Sequence, residues 1–139
     1  MRAMGASGQI LIVDDEAEIR DVLEEFLNHK GYRTHAASDG VTAVEAICTQ
    51  RPDVVLLDID MPKLGGIEAL NAIRAIAPRV KVIMISGKAS LDVAKRSLAN
   101  GAYDYIAKPF DLEYLAKSVE TALLTKNLDE FCQPDRSRR

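Results

Sequence analysis

Val54-Val55-Leu56-Leu57 are four apolar residues in succession, and the run stops on Asp58, Asp60 and Pro62. A strand with one face in water alternates polar and apolar side chains. A strand without that alternation is covered on both faces, which calls for helices on both sides of a parallel sheet. The run therefore predicts a central strand of an α/β domain. In open α/β sheets, ligands bind in the crevice beyond the carboxyl ends of the strands, and this is where Asp58 and Asp60 fall.

The rest of the chain fits around that strand. Gln9 to Val13 is a similar run that ends on Asp14, Asp15 and Glu16. Ile19, Val22, Leu23, Phe26 and Leu27 then recur at helical spacing up to Lys30 and Gly31, a last-turn cation and a C′ glycine. Tyr32 to Ala36 reads as a strand. Asp39-Gly40 reads as a turn, and Val44, Ile47 and Cys48 as the inner face of a helix closed by Arg51-Pro52. Leu70 and Ile73 mark a helix ending near Pro78, and Val80 to Ile85 is a strand that stops on Ser86, Gly87 and Lys88. Ser90 is placed to cap a helix running to Asn100-Gly101, lined only by Val93, Leu98 and alanines and so expected to be loosely held. Tyr103 to Ala107 is a fifth strand ending on Lys108-Pro109, and Leu112, Leu115, Val119, Ala122 and Leu123 define a last helix. Strand and helix alternate five times, which predicts a doubly wound (βα)5 arrangement with a five-stranded parallel sheet and five helices.

With 139 residues there is room for one domain of ordinary size. A net charge of −3, with both signs mixed along the chain, gives no nucleic-acid footprint. No apolar stretch approaches the roughly 20 residues that span a bilayer, and residues 1–8 lack the apolar core of a signal peptide, so a cytoplasmic location is expected. Cys48 and Cys132 form no disulfide framework or zinc motif, and Cys48 reads as a small core hydrophobe. His29 and His35 lie in separate elements without a partner ligand at metal spacing.

Four strands end in a functional group: Asp14 with Asp15, Asp58, Ser86, and Lys108. In a parallel sheet those ends share one edge. Clustered carboxylates repel one another unless a cation lies between them, and hard oxygen donors suit Mg2+. Lys108 adds a fixed positive charge and Ser86 a hydroxyl donor. Together these are what a transferring phosphoryl group needs, since its catalysis is mostly positioning and charge neutralisation. Asp58 is left as the nucleophile. Each residue also has an ordinary reading: the acidic pair as helix caps, Lys108 as a solvated lysine, Ser86 as a turn residue, Tyr105 as a packed strand aromatic.

With those residues in place, the chain from about Gln9 to about Leu124 resembles the receiver domain of two-component response regulators. Asp14-Asp15 are similar to its acidic pair, Asp58 to its phosphoacceptor, Ser86 to its switch hydroxyl, Tyr105 to its switch aromatic, and Lys108-Pro109 to its lysine and following proline. The resemblance implies a flavodoxin-like fold, with Mg2+ held by Asp15, Asp58 and the backbone carbonyl of Asp60, and by Asp14 through water. It implies phosphoryl transfer to Asp58 from a sensor histidine kinase or phosphotransfer protein, and a cis Lys108-Pro109 bond. The phosphorylated form would signal through Ser86 and Tyr105 to an effector, an output domain or a phosphorylation-linked homodimer. Such a domain is a signalling module rather than an enzyme, and would cover residues 9–125, between a flexible start at 1–8 and a tail or linker from 126 to 139.

Gly87, Pro109, Asp60 and Lys88 are expected to border the pocket, with Lys88 paired to Asp60. Glu16 and Arg20, on the first helix, are candidates for kinase recognition. Leu124, Leu128 and Phe131 fall at helical spacing, a short signal against which fraying of the chain end is the expectation. Two other readings compete. Asp58-Ile59-Asp60 is similar to the nucleophile and general acid of haloacid-dehalogenase phosphatases, but that motif belongs on a first strand. A receiver-like interaction module that takes no phosphate is the other, and the retained acids, hydroxyl and lysine argue against it.

Overall fold

The structure is a computed structural model and describes residues 8–61, 64–87 and 90–132. The expected flexible start at 1–7 and the end of the expected tail, 133–139, lie outside the described residues.

Five parallel strands form one sheet: β1 (Gln9–Val13), β2 (Arg33–Ala37), β3 (Val54–Asp58), β4 (Lys81–Ser86) and β5 (Asp104–Ala107), in the order β2-β1-β3-β4-β5. They alternate with α1 (Ala17–His29), α2 (Gly40–Gln50), α3 (Gly66–Ile76), α4 (Leu91–Ala99) and α5 (Leu112–Phe131), which is the flavodoxin-like arrangement. β3 is buried at every position, as its unbroken apolar run requires. The pleat divides the strands between two cores. Ile10, Ile12, Val54, Leu56, Ile83, Ile85 and Ile106 pack against Leu23 and Leu27 of α1 and Leu115, Val119 and Ala122 of α5. Leu11, Val13, Val55, Leu57, Val82 and Met84 meet Ala43 and Ile47 of α2 and Leu70 and Ile73 of α3.

Local chemistry sets the helix ends. Asp39 accepts the Thr42 N–H in a capping box at α2, and Ser90 accepts the Val93 N–H at α4. Asp111 begins α5 by accepting the Glu113 N–H. Gly101, at φ 99°, turns the chain out of α4 in a conformation that L side chains rarely adopt.

Four inward assignments do not hold. Cys48 is exposed: α2 turns Ala43 and Ile47 inward and leaves the thiol at the rim of a groove beside Arg51 and Ile76. Val44 is only half-buried. Val22 is exposed on α1, where it lines a second groove with Ile19, Pro109 and Phe110. On α4 the buried residue is Ser97, while Leu98 points outward. The last helix does not fray at residue 126 but continues to Phe131. There Lys126 reaches Asp53 at 3.1 Å and Glu130 at 2.7 Å, and Lys81 reaches Asp129 at 2.7 Å.

Candidate phosphoryl-acceptor site

β1 has β2 on one side and β3 on the other, so the chain reverses its direction of winding at β1/β3. That switch point opens a crevice at the carboxyl ends of the strands. Asp14 and Asp15 follow β1 directly, and Asp58 is the last residue of β3. One carboxylate oxygen from each of the three lies within 4.8 Å of the others. The donors are all hard, anionic oxygens with neither imidazole nor thiolate among them, a set that fits Mg2+.

Asp14 and Asp58 are buried, whereas Asp15 is exposed. The two Asp14 oxygens take separate donors: Oδ1 accepts the Glu16 N–H at 2.9 Å and Oδ2 accepts Lys108 Nζ at 3.1 Å. Asp58 Oδ1 accepts the Asp60 N–H at 3.1 Å, and its Oδ2 lies 3.7 Å from Lys108 Nζ. Burial pushes the Asp58 carboxyl up to about 6. The Asp60 N–H opposes the shift, the Asp14 charge adds to it, and Lys108 and Asp60 act with opposite signs. Burial also works against the Lys108 ammonium, but the Asp14 hydrogen bond and the Asp58, Asp14 and Glu16 charges outweigh it and raise its pKa.

Lys108 is aimed by its backbone. Its N–H donates to the Ser86 carbonyl at 2.7 Å, and the Lys108-Pro109 peptide that follows is cis. Ser86 ends β4 as a buried residue, and its Oγ donates to Asp60 Oδ2 at 3.2 Å. Gly87 N–H donates to the same oxygen at 3.1 Å. The expected Asp60–Lys88 pair involves a residue outside the described ones, and the Asp60 carboxylate is engaged with the end of β4. Tyr105 lies on the neighbouring edge strand. It is half-buried on β5, in register with Met84 two residues before Ser86, and packs against the α2/α3 core.

Pro109 is exposed and forms the rim of a groove of about 530 Å³ with Ile19, Val22, Gly87, Lys108, Phe110 and Leu112. Arg20 turns back on the site, with Nη1 donating to the Asp14 carbonyl at 2.6 Å.

Two contributors went unread in the sequence. The Glu16 carboxylate lies 3.5 Å from Lys108 Nζ, which its place beside the acidic pair would have suggested. Gly66 opens α3 against the β3–α3 turn, where a Cβ would overlap the Ile59 backbone, and the paired glycines Gly65-Gly66 were the available signal.

Sheet order, crevice and the acid, hydroxyl and lysine set at one edge define a receiver of two-component signalling. The chain belongs to the response regulator receiver domain family, which matches residues 10–120. It is 41% identical over 125 residues to the regulatory protein AtoC of Escherichia coli, covering 90% of this chain and 27% of AtoC. Sporulation initiation phosphotransferase F of Bacillus subtilis is 38% identical over 119 residues, covering 86% of this chain and 96% of that protein. Among solved structures, NtrX from Brucella abortus superposes with a TM-score of 0.88 at 36% identity, over 96% of this chain and 31% of that one. The chain thus spans about a quarter to a third of the longer relatives AtoC and NtrX and nearly all of the phosphotransferase. Receivers are signalling domains that carry a phosphoacceptor and bind Mg2+ at an acidic pocket. The match leaves the phosphatase resemblance unsupported: Asp58 ends the third strand, and an acidic pair already follows the first. Among the described residues, no helix is long and apolar enough to cross a membrane.

Proposed function

We propose that Asp58 accepts a phosphoryl group from the phosphohistidine of a sensor histidine kinase or phosphotransfer protein. The reading is carried by one observation: a buried carboxylate at the switch point lies within 3.7 Å of a lysine and within 4.8 Å of two further carboxylates. An Asp58 oxygen attacks phosphorus, the P–N bond breaks, and its electron pair returns to the imidazole of the donor. Lys108 neutralises charge on the phosphoryl oxygens, and the Ser86 hydroxyl donates to one of them. Asp15, Asp58 and the Asp60 carbonyl would hold Mg2+, with Asp14 acting through water; bound there, it supplies further neutralisation of the same oxygens.

The apolar groove beside the site gives the donor a place to dock, with Val22 at its exposed edge. Inward movement of Ser86 and turning of Tyr105 carry the change to the face made by α4, β5 and α5, where Leu91 and Tyr114 are exposed. That face is read by an effector, an attached output domain or a second copy of the chain.

Incubation with acetyl phosphate and Mg2+ should give a retarded band on a phosphate-affinity gel that disappears in Asp58→Asn. A band that survives the substitution puts the phosphate on another residue, and no band in the unsubstituted protein leaves an interaction module; either result overturns the reading. Val22→Glu should slow transfer from a phosphohistidine protein about tenfold while leaving labelling by acetyl phosphate unchanged, since the small donor needs no docking surface.

A further inference from the structure

Asp60 holds two donors that a phosphorylated Asp58 would need. Its Oδ2 accepts both the Ser86 hydroxyl at 3.2 Å and the Gly87 N–H at 3.1 Å, so one carboxylate oxygen occupies the donor pair at the end of β4. The contact bridges two loops, because Asp60 follows β3 and Gly87 follows β4. The Asp60 N–H meanwhile donates to Asp58 Oδ1 at 3.1 Å, which fixes the residue beside the acceptor carboxylate. A Cβ built on Gly87 would lie 3.8 Å from Lys108 Cδ and 4.0 Å from Asp60 Oδ2, so this oxygen and the stem of the lysine flank the same small space.

A carboxylate with two donors is an anion site already filled. Resting on the phosphoacceptor reading above, we propose that the Asp60 carboxylate is an internal competitor for the phosphoryl group. In the unphosphorylated protein it holds Ser86 and Gly87, and it must let them go when Asp58 is esterified. Esterification drives that release in two ways. The phosphoryl group brings up to two negative charges beside a carboxylate that already shares the crevice with those of Asp14 and Asp15. It also offers several strong acceptor oxygens to the same hydroxyl and amide. Asp60 is therefore a positioning residue that opposes the active arrangement until a phosphoryl group displaces it.

Beryllofluoride binding with Mg2+, followed by NMR, tests the competition. Asp60→Ala should bind beryllofluoride at least fivefold more tightly than the unsubstituted protein. Asp60→Asn, which keeps an acceptor of similar shape without the charge, should fall between the two. Removal of any nearby negative charge would also favour an anion, so a second arm separates the two causes. In a Ser86→Ala background the gain from Asp60→Ala should shrink to less than twofold, because one of the two contested donors is gone. Before any beryllofluoride is added, the Gly87 amide proton should move upfield in Asp60→Ala. An equal gain in both backgrounds, or an unmoved Gly87 amide, overturns the competition while leaving Asp58 as phosphoacceptor. No beryllofluoride binding by any form overturns the phosphoacceptor reading and the competition together.

Discussion

Asp58 carries its charge where charge is expensive, and the consequence is measurable in stability. Its carboxyl is raised from 3.8 to about 6, chiefly by burial. A raised acid binds its proton more tightly in the folded than in the unfolded state, so its favourable contribution is complete below 3.8 and is lost as pH rises through 6. Above that pH the metal-free fold carries a buried, repelled carboxylate. Asp58→Asn should therefore stabilise the protein in EDTA at pH 8 by about 1–3 kcal/mol, and the gain should shrink toward zero near pH 4. Urea titrations at the two pH values check this, and a gain that grows toward low pH would reverse the sign and refute the account. Asp58, Asp14, Asp15, Ser86 and Lys108 were legible in the sequence because each polar residue interrupts or directly follows an apolar strand. The engagement of Asp60 with Ser86 and Gly87 was not, because it depends on how two loops meet across the crevice.

At the scale of elements, the strands and most helix ends could be read from local patterns, and the least regular helix could not. In α4 the periodic pattern favoured Leu98 as an inward residue, but the helix, which contacts β5, buries Ser97 instead. The Ser97 Oγ is buried and finds no hydrogen-bond partner among the described residues. A buried hydroxyl that has given up water and gained no partner opposes folding. Ser97→Ala removes that group and substitutes a better helix former, so it should stabilise the domain by about 1 kcal/mol, or roughly 3–5 °C in Tm. Calorimetry checks the direction, and a loss of stability would mean that the hydroxyl has a partner in solution. Hydrogen exchange should still find the α4 amides opening before those of α5, since α5 buries Leu115, Val119 and Ala122 against the sheet and α4 buries little beyond this serine.

Across the whole molecule, chemistry and anchorage occupy opposite edges of one sheet. The acids and Lys108 gather at the carboxyl ends of the strands, while the start of β3 is tied to α5 through Asp53. That carboxylate accepts the Gln9 N–H at 2.9 Å and meets Lys126 Nζ at 3.1 Å, joining β1, β3 and the end of α5. Read along the chain, Lys126 marks the point where the apolar spacing of α5 runs out, and nothing local announces a partner as distant as Asp53. The lysine is mostly buried, at 13% side-chain exposure. Burial lowers its pKa, but hydrogen bonds to Glu130 and Asp53 raise it further, so the ammonium stays charged in the fold. Lys126→Met keeps the aliphatic stem and removes the charge, leaving two carboxylates facing each other across the gap. It should cost about 1–2 kcal/mol and fray α5 beyond Leu123, a cost that added salt lessens by screening the half-buried carboxylates. Because the clamp and the acceptor lie at opposite ends of β3, the rate of labelling by acetyl phosphate should not change. A lower Tm with unaltered labelling, measured on the same preparation, is the expected result. Slower labelling in the folded variant would mean that the two edges are coupled through the sheet.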